Sequence, residues 1–519
     1  MQLAQTLRRS ARLDPRRTAL VEGDVRHDWG TFEDRVARLA GGLRALGVGE
    51  GDRVAMLSHN SHRYVEFFFA TFWAGGIAVP LNTRWAVPEI RHALDDSGAR
   101  VLVTDPDHLE QARTQRADGA AVEQLVLAAD EGVTAADAHH WEALARGERV
   151  DDAGRGYDDI ACLFYTGGTT GRSKGVMLTH ANLIANSMTA MLNMDIRSDT
   201  VHLHTSPMFH VAGGARLFSV TLAGGTHVVI PRFDVDAFLD VIERERVTMT
   251  IIVPTMLARL VRHPELSARD LSSLRLLTYG ASPMPEAVLR EALERLPGVR
   301  LLQSYGMTEL SPVATVLGPD HHVFEGPNAG RTASAGRPVY NADVMIVGEH
   351  DEPLAAGEIG EVCVRGPMVM KGYWNLPELT AETLRGGWMH TGDAGYLDED
   401  GFLFVVDRLK DMIVSGGENV YSAEVEDAIY LHPAVAECAV IGIPDEQWGE
   451  AVHAIVVPKA GARLDAAAVV EHCRARIASF KCPRSVEVRS GELPKSGPGK
   501  ILKTDLRRPF WEGRARAVN

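Results

Sequence analysis

Residues 165–175 read Tyr165-Thr166-Gly167-Gly168-Thr169-Thr170-Gly171-Arg172-Ser173-Lys174-Gly175. Glycines permit tight turns and let backbone N–H groups come close to an anion. The hydroxyls of Thr166, Thr169, Thr170 and Ser173, with the cations Arg172 and Lys174, add donors and positive charge. A loop of this kind suits a polyphosphate. It is not a Walker A loop, because Gly-Lys-Ser/Thr after a four-residue gap is missing. Taken alone it is equally a surface hairpin, so the weight falls on the other segments that carry chemistry.

The first of these is Gln303-Ser304-Tyr305-Gly306-Met307-Thr308-Glu309, where an aromatic-glycine turn presents a hydroxyl beside a carboxylate. By itself Glu309 reads as a solvated loop acid. In Gly387-Trp388-Met389-His390-Thr391-Gly392-Asp393 a single aspartate follows a glycine. That carboxylate suits two hydrogen bonds from a ribose diol, although a plain turn is the simpler reading. Asp407-Arg408-Leu409-Lys410-Asp411 leads through Met412-Ile413-Val414 to Ser415-Gly416-Gly417. Charges, an apolar strand and paired glycines suggest a hinge followed by close approach to a ligand. Finally Pro494-Lys495-Ser496-Gly497-Pro498-Gly499-Lys500 fixes a loop that ends in a lysine, on its own an ordinary surface charge.

These segments need a scaffold. Phe32, Val36, Leu39, Leu43 and Leu46 recur at helical spacing over 31–46, with Thr31 as the cap and Gly47 as the stop. Strands are expected at 53–58, 100–104, 160–164 and 248–253, and helices near 64–74, 87–97 and from Val235 to Ile242. The apolar run 67–81 is broken by Gly75, Gly76 and Pro80 and reads as a buried helix and a turn rather than a membrane span. Strands alternating with helices imply parallel sheets covered on both faces. The fold class is therefore α/β: a large N-terminal region of more than one sheet, with a β-rich subdomain around 343–347 and 361–365. After residue 410 the pattern resets into a compact α+β unit, with helices at 423–430 and 466–477 and strands at 436–443 and 451–457.

The 519 residues exceed one ordinary core, so two or more domains are expected. A net charge of −15 argues against broad nucleic-acid binding and against a polybasic membrane anchor. Cys162, Cys363, Cys438, Cys473 and Cys482 never form Cys-x-x-Cys. They point to a reduced, cytoplasmic protein with neither a disulfide framework nor a zinc site. Residues 1–15 lack the apolar core of a signal peptide.

Together and in this order, the five segments resemble the adenylate-forming superfamily: acyl-CoA synthetases, adenylation domains and beetle luciferases. The resemblance extends from the first helix to Lys500. It implies an N-terminal domain over 1–407, a hinge at 408–411 and a small mobile C-terminal domain over 412–519. It also implies a two-step reaction with ATP, Mg²⁺ and coenzyme A. A carboxylate first attacks the α-phosphate to give acyl-AMP and pyrophosphate; the C-terminal domain then rotates and a thiol takes the acyl group.

Carried over residue by residue, Thr166, Gly167, Gly168, Thr169, Thr170 and Lys174 would enclose the β- and γ-phosphates. Glu309 would hold Mg²⁺, as hard oxygen ligands do, and Thr308 would bond the α-phosphate. Asp393, assisted by Arg408, would take the ribose hydroxyls. Gly280, Ala281 and Ser282 match the strip against which adenine lies, with Tyr305 nearby. Lys500 matches the adenylation lysine, a cation that offsets repulsion between carboxylate and phosphate. His210, in Pro207-Met208-Phe209-His210, resembles the aromatic gate of the acyl pocket, with a packed core histidine as the plainer reading. Ser415, Gly416 and Gly417 would line the pantetheine tunnel. Trp448 either faces that tunnel or packs in the C-terminal core. Lys410 stands at the hinge where many members have aspartate.

Because no carrier-protein segment follows Asn519, a free thiol is the expected acceptor. The expected pocket wall, residues 210–214 with Met307, Pro312, Val313 and Ala314, is small and apolar. It suits a medium- or long-chain fatty acid first and an aryl acid such as a cinnamate second. Arg216 is the one nearby charge that would favour a dicarboxylate, unless it lies on a helix surface as most arginines do. An acyl-AMP ligase serving a separate carrier protein and a catalytically silent binding protein are the other readings. No nucleic-acid partner and no integral membrane segment are expected, and a homodimer is left open.

Overall fold

The computed structural model describes residues 1–166, 172–282, 284–416, 418–495 and 501–512. Two large sheets dominate the first three-quarters of the chain. One has nine strands. Its parallel centre runs Arg300–Gly306, Leu276–Gly280, Met249–Ile252, Val201–His204, Thr226–Val229 and Thr18–Glu22, with antiparallel strands at both edges. The other has eight strands and joins Ile160–Thr166, Ile77–Pro80, Arg53–Leu57 and Val101–Thr104 in parallel. A four-stranded antiparallel sheet, Asp343–Val347, Gly360–Arg365, Met389–Leu397 and Leu403–Arg408, forms the β-rich subdomain. A five-stranded sheet with the helices Ser422–Tyr430, Ala466–Arg474 and Lys503–Trp511 forms the C-terminal unit. This is the α/β class expected.

Helix His62–Ala74 shows why the large sheets stack. It is buried on every side, with Phe67, Phe68, Phe69 and Phe72 all in the core. A helix that is apolar all round must lie inside a protein. Its cluster includes Leu20 of one sheet and Val54, Met56 and Ala78 of the other, so the helix is the filling between them. Gly75, at φ +96°, ends it, and the chain turns at once into strand Ile77–Pro80. The run 67–81 is thus helix, turn and strand. Among the described residues no helix is long and apolar enough to cross a membrane.

The helix expected over 31–46 runs Trp29–Ala45, and its cap is Asp28 rather than Thr31: the Asp28 carboxylate accepts from the Thr31 N–H at 2.7 Å. An aspartate at that place satisfies one of the unpaired N–H groups of the first turn. The five cysteines are all buried free thiols. Burial pushes Cys162 and Cys438 well above the ordinary thiol range and Cys363 up to about 12.

The two parts of the chain meet at the turn after Leu403–Arg408. Asp407 accepts hydrogen bonds from the backbone N–H and the Oγ of Ser422, the first residue of helix Ser422–Tyr430. Lys503 in turn reaches Ser422 Oγ at 2.6 Å and Glu426 at 2.7 Å, and Arg507 pairs with Asp411 at 3.1 Å.

Candidate active site

In parallel sheets, ligands sit outside the carboxyl ends of the strands. Gly280, Gly306 and the loop that leads to His210 all leave the carboxyl ends of strands in the nine-stranded sheet, and Thr166 leaves one in the eight-stranded sheet. Gly280 pairs with Ser304 on the neighbouring strand, and a Cβ there would lie 2.3 Å from the Ser304 carbonyl oxygen. Ala281 follows in the left-handed region at φ +67°, exposed. A non-glycine held there marks a strained backbone, a common mark of a binding site. At Gly306, φ is +156° and a Cβ would fall 1.8 Å from the Pro312 carbonyl oxygen. Only glycine fits, and it carries the chain from Tyr305 into the short turn Thr308–Leu310.

Two linked carboxylate sites lie beyond these glycines. Asp393 is buried. It accepts from Tyr305 Oη at 2.7 Å and pairs with Arg408 Nε at 2.6 Å. Burial alone would lower the Arg408 pKa, but the surrounding acidic groups, Asp393 first and then Tyr305, Glu309 and Asp411, together more than reverse this and keep the guanidinium cationic. Each carboxylate oxygen keeps a second lone pair for a further donor. Asp393 stands within strand Met389–Leu397, not in a turn; Gly392, at φ +70°, lies in the irregular register between that strand and Gly360–Arg365.

Glu309 is also buried. Its Oε1 accepts from Tyr373 Oη at 2.9 Å, and its other oxygen makes no hydrogen bond among the described residues. Lys174 lies over the Tyr373 ring, 4.4 Å from its centroid. Lys174 is also the ladder partner of Thr166, so the hairpin that carries the glycine-rich loop is anchored on Tyr373. A carboxylate oxygen without a hydrogen bond among the described residues is a suitable hard donor for Mg²⁺.

Tyr373 was not among the expected site residues. It lies 64 positions from Glu309, in a two-residue strand, and only the pairing of that strand with Lys174–Thr179 brings it in. Tyr373→Phe removes one hydrogen bond and keeps the ring under Lys174. Acyl-adenylate formation at limiting Mg²⁺ should fall roughly fivefold to thirtyfold, the worth of about 1–2 kcal/mol for a buried bond. Pyrophosphate exchange titrated with Mg²⁺ measures this; an unchanged titration would remove Tyr373 from the site.

His210 precedes helix Val211–Ala223 and packs against Phe209, with ring centroids 4.7 Å apart. Burial, then the charge of Arg84, pulls its pKa down to about 3, so the ring is neutral at working pH. Its Nε2 is buried without a partner. Gly213 and Gly214 are filled behind: a Cβ at Gly213 would meet the Pro207 carbonyl oxygen at 2.4 Å, and one at Gly214 the Met208 carbonyl oxygen at 2.8 Å. Arg216 is buried rather than on a helix surface.

Ser415, Gly416 and Trp448 come together in the C-terminal unit. The Gly416 N–H donates to the Trp448 carbonyl at 2.8 Å, and a Cβ on Gly416 would lie 2.5 Å from the Trp448 ring. The space that this glycine leaves is occupied by tryptophan, whose ring also carries the Arg484 guanidinium 4.2 Å from its centroid. No hydrogen bond or ion pair joins these three to the Asp393 and Glu309 sites among the described residues. Thr308 and Ser282 are half-buried. Gly167, Gly168, Thr169, Thr170, Gly417 and Lys500 lie outside the described residues.

The profile of AMP-binding enzymes matches residues 7–374, and that of the AMP-binding enzyme C-terminal domain matches residues 424–500. A feruloyl-CoA synthase of Amycolatopsis sp is 45% identical over 97% of this chain and 98% of its own length. A long-chain-fatty-acid–CoA ligase of Mycobacterium tuberculosis is 36% identical over 97% of each. ATP-bound MatB of Rhodopseudomonas palustris superposes with a TM-score of 0.88 at 33% identity, covering 98% of this chain and 99% of that one. Profile, relatives and superposition together place the chain in the AMP-binding, adenylate-forming enzyme family, among its carboxylate–CoA ligases.

Proposed function

We propose that the chain joins an aryl carboxylic acid of the cinnamate type to coenzyme A in two steps. The observation that carries the nucleotide half is the pair of buried carboxylates. Asp393, fixed by Tyr305 and Arg408, is oriented to accept from the two ribose hydroxyls. Glu309, fixed by Tyr373, offers one oxygen to Mg²⁺ beside the Lys174 cation. When bound, Mg²⁺ supplies charge neutralisation at the phosphates. Thr308 bonds the α-phosphate, the loop from Thr166 to Lys174 holds the departing pyrophosphate, and Lys500 brings carboxylate and α-phosphate together. Every oxygen nucleophile and leaving group belongs to the substrates, so the protein's work is positioning and electrostatics. In the second step Ser415 and Gly417 border the thiol's path, with Trp448 as its wall.

For the acid, the 45% identity to a feruloyl-CoA synthase against 36% to a fatty-acid ligase favours a ring over a tail. The Phe209 and His210 rings at the start of helix Val211–Ala223 suit a planar substrate. A medium- or long-chain fatty acid is the second reading, supported by the apolar first turn of that helix. Thioester formation from ferulate, 4-hydroxycinnamate, cinnamate, benzoate, octanoate and palmitate decides between them. Fatty acids outperforming every aryl acid would sink the proposal. Acyl-AMP release without transfer to coenzyme A would instead favour a carrier-protein acceptor.

The turn at 408–411 is the proposed hinge between a domain over 1–407 and one over 412–519. Proline fixes φ near −65° and removes an N–H. Lys410→Pro is therefore expected to impair thioester formation more than adenylation, whereas Lys410→Ala is expected to be mild in both. The half-reactions are measured separately for each variant. An alanine as damaging as the proline would mean that Lys410 acts through its charge.

A further inference from the structure

Helix Val211–Ala223 carries one charged residue within a buried, mostly apolar sequence. Arg216 is only 4% exposed, and its Nε has no hydrogen-bond partner. Among the described residues no carboxylate pairs with its guanidinium. Burial lowers its pKa to about 10, still high enough to keep it cationic at neutral pH. An isolated buried cation is costly, and a guanidinium has five N–H groups to satisfy.

Its surroundings are polar too, since its charge is felt at His202 and His204. His202 and His204 point to one face of strand Val201–His204, as residues two apart must, with ring centroids 4.5 Å apart. His227 lies opposite His202 on the adjacent parallel strand. His204 Nε2 bonds His227 Nδ1 at 3.0 Å, and His227 Nε2 bonds Thr221 Oγ1 at 3.0 Å. His202 is fully buried, yet neither of its ring nitrogens has a partner. Burial, then neighbouring charge, drives His202 and His204 well below the usual histidine range, so these rings are neutral and cannot repel the arginine. One unpaired cation and one unpaired histidine thus lie at the same buried place.

That place lies along the helix from the candidate acid site. Of residues 211–215 only Ala212 keeps open surface, next to half-buried His210. Arg216 follows Ala212 by four residues, so it is one turn deeper on the same helix face. From His210 to Arg216 the helix rises roughly 9 Å, comparable to the span of a para-substituted cinnamic acid.

We propose that Arg216, with His202 behind it, is the specificity-determining end of the acid pocket and binds an oxygen acceptor at the far end of the acid. The acceptor is either the ring oxygen of an oxygenated aryl acid or the second carboxylate of a dicarboxylic acid. This rests on the reading that helix Val211–Ala223 borders the acid site, and it adds what the pocket demands of the acid. A terminal methyl at that position would leave the guanidinium dry and unpaired, whereas an oxygen acceptor satisfies it.

The test uses two substrate pairs matched in shape: 4-hydroxycinnamate with cinnamate, and suberate with octanoate. Adenylation is measured by pyrophosphate exchange for the full chain. At least one pair should favour the oxygen-bearing member by roughly a hundredfold in kcat/KM, as expected of a site built to hydrogen-bond its substrate. The pair that does so identifies the source of the oxygen. Arg216→Met, close in length and uncharged, should remove the preference mainly through KM, with the plain member of the pair unchanged or improved. Arg216→Lys should restore part of it. If wild type uses both members of each pair within about threefold, or Arg216→Met lowers both members alike, the inference fails. The wild-type comparison stands even if a variant does not fold. No preference in either pair, with the aryl acids still the best substrates, would overturn this inference and leave the aryl proposal standing. A preference confined to suberate would do the reverse.

Discussion

Lys500→Ala is expected to slow acyl-adenylate formation at least about a hundredfold, a loss of roughly 3 kcal/mol of transition-state stabilisation. Thioester formation from supplied acyl-AMP should be nearly unaffected. The acid and the α-phosphate are both anions, and negative charge builds on the phosphate as the bond forms. A cation shared between them has its largest effect at that moment and none once pyrophosphate has left. Two assays read the separation: pyrophosphate exchange for the first half-reaction, and coenzyme A transfer from synthetic acyl-AMP for the second. Equal losses in both would show that Lys500 supports the fold or the domain arrangement rather than the adenylation step.

Asp393→Ala is expected to raise the KM for ATP by a factor on the order of a hundred, and to weaken the protein as well. Two costs add. The ribose hydroxyls lose their acceptor, and Arg408 is left half-buried without its partner at 2.6 Å. Breaking one side of a buried pair costs about 3–5 kcal/mol. Asp393→Asn separates the costs, since the amide still accepts from Tyr305 but carries no charge. ATP dependence of pyrophosphate exchange and thermal unfolding with and without ATP give both readings. A normal ATP KM in Asp393→Ala would remove this carboxylate from the nucleotide site.

Much of the scaffold is legible in the residues. The helix expected over 87–97 is Val87–Ser97, and the strand expected over 343–347 is Asp343–Val347, because in both cases an apolar period is bounded by clear end signals. Asp393 was harder. A glycine before an aspartate has the local chemistry of a turn, and only cross-strand pairing with Arg408 makes it part of a ladder. Tyr373 carries no local signal, because its role comes from two partners distant in sequence. Arg216 reads as surface by residue type alone. Its burial follows from the helix being covered on all sides, which its own sequence cannot reveal. The space at Gly416 is likewise filled by Trp448, a residue from another strand turn.

The five buried cysteines have a practical consequence. A thiol reagent reacts with thiolates that solvent can reach. The free thiol of coenzyme A is such a group, and the protein's own sulfurs, buried and held protonated, are not. A colorimetric thiol count therefore follows consumption of the acceptor almost free of protein background. Whatever slow labelling remains becomes a clock for opening of the interior. Cys162 and Cys363 time it in the large sheets and the β-rich subdomain, whereas Cys438, Cys473 and Cys482 time it independently in the C-terminal unit.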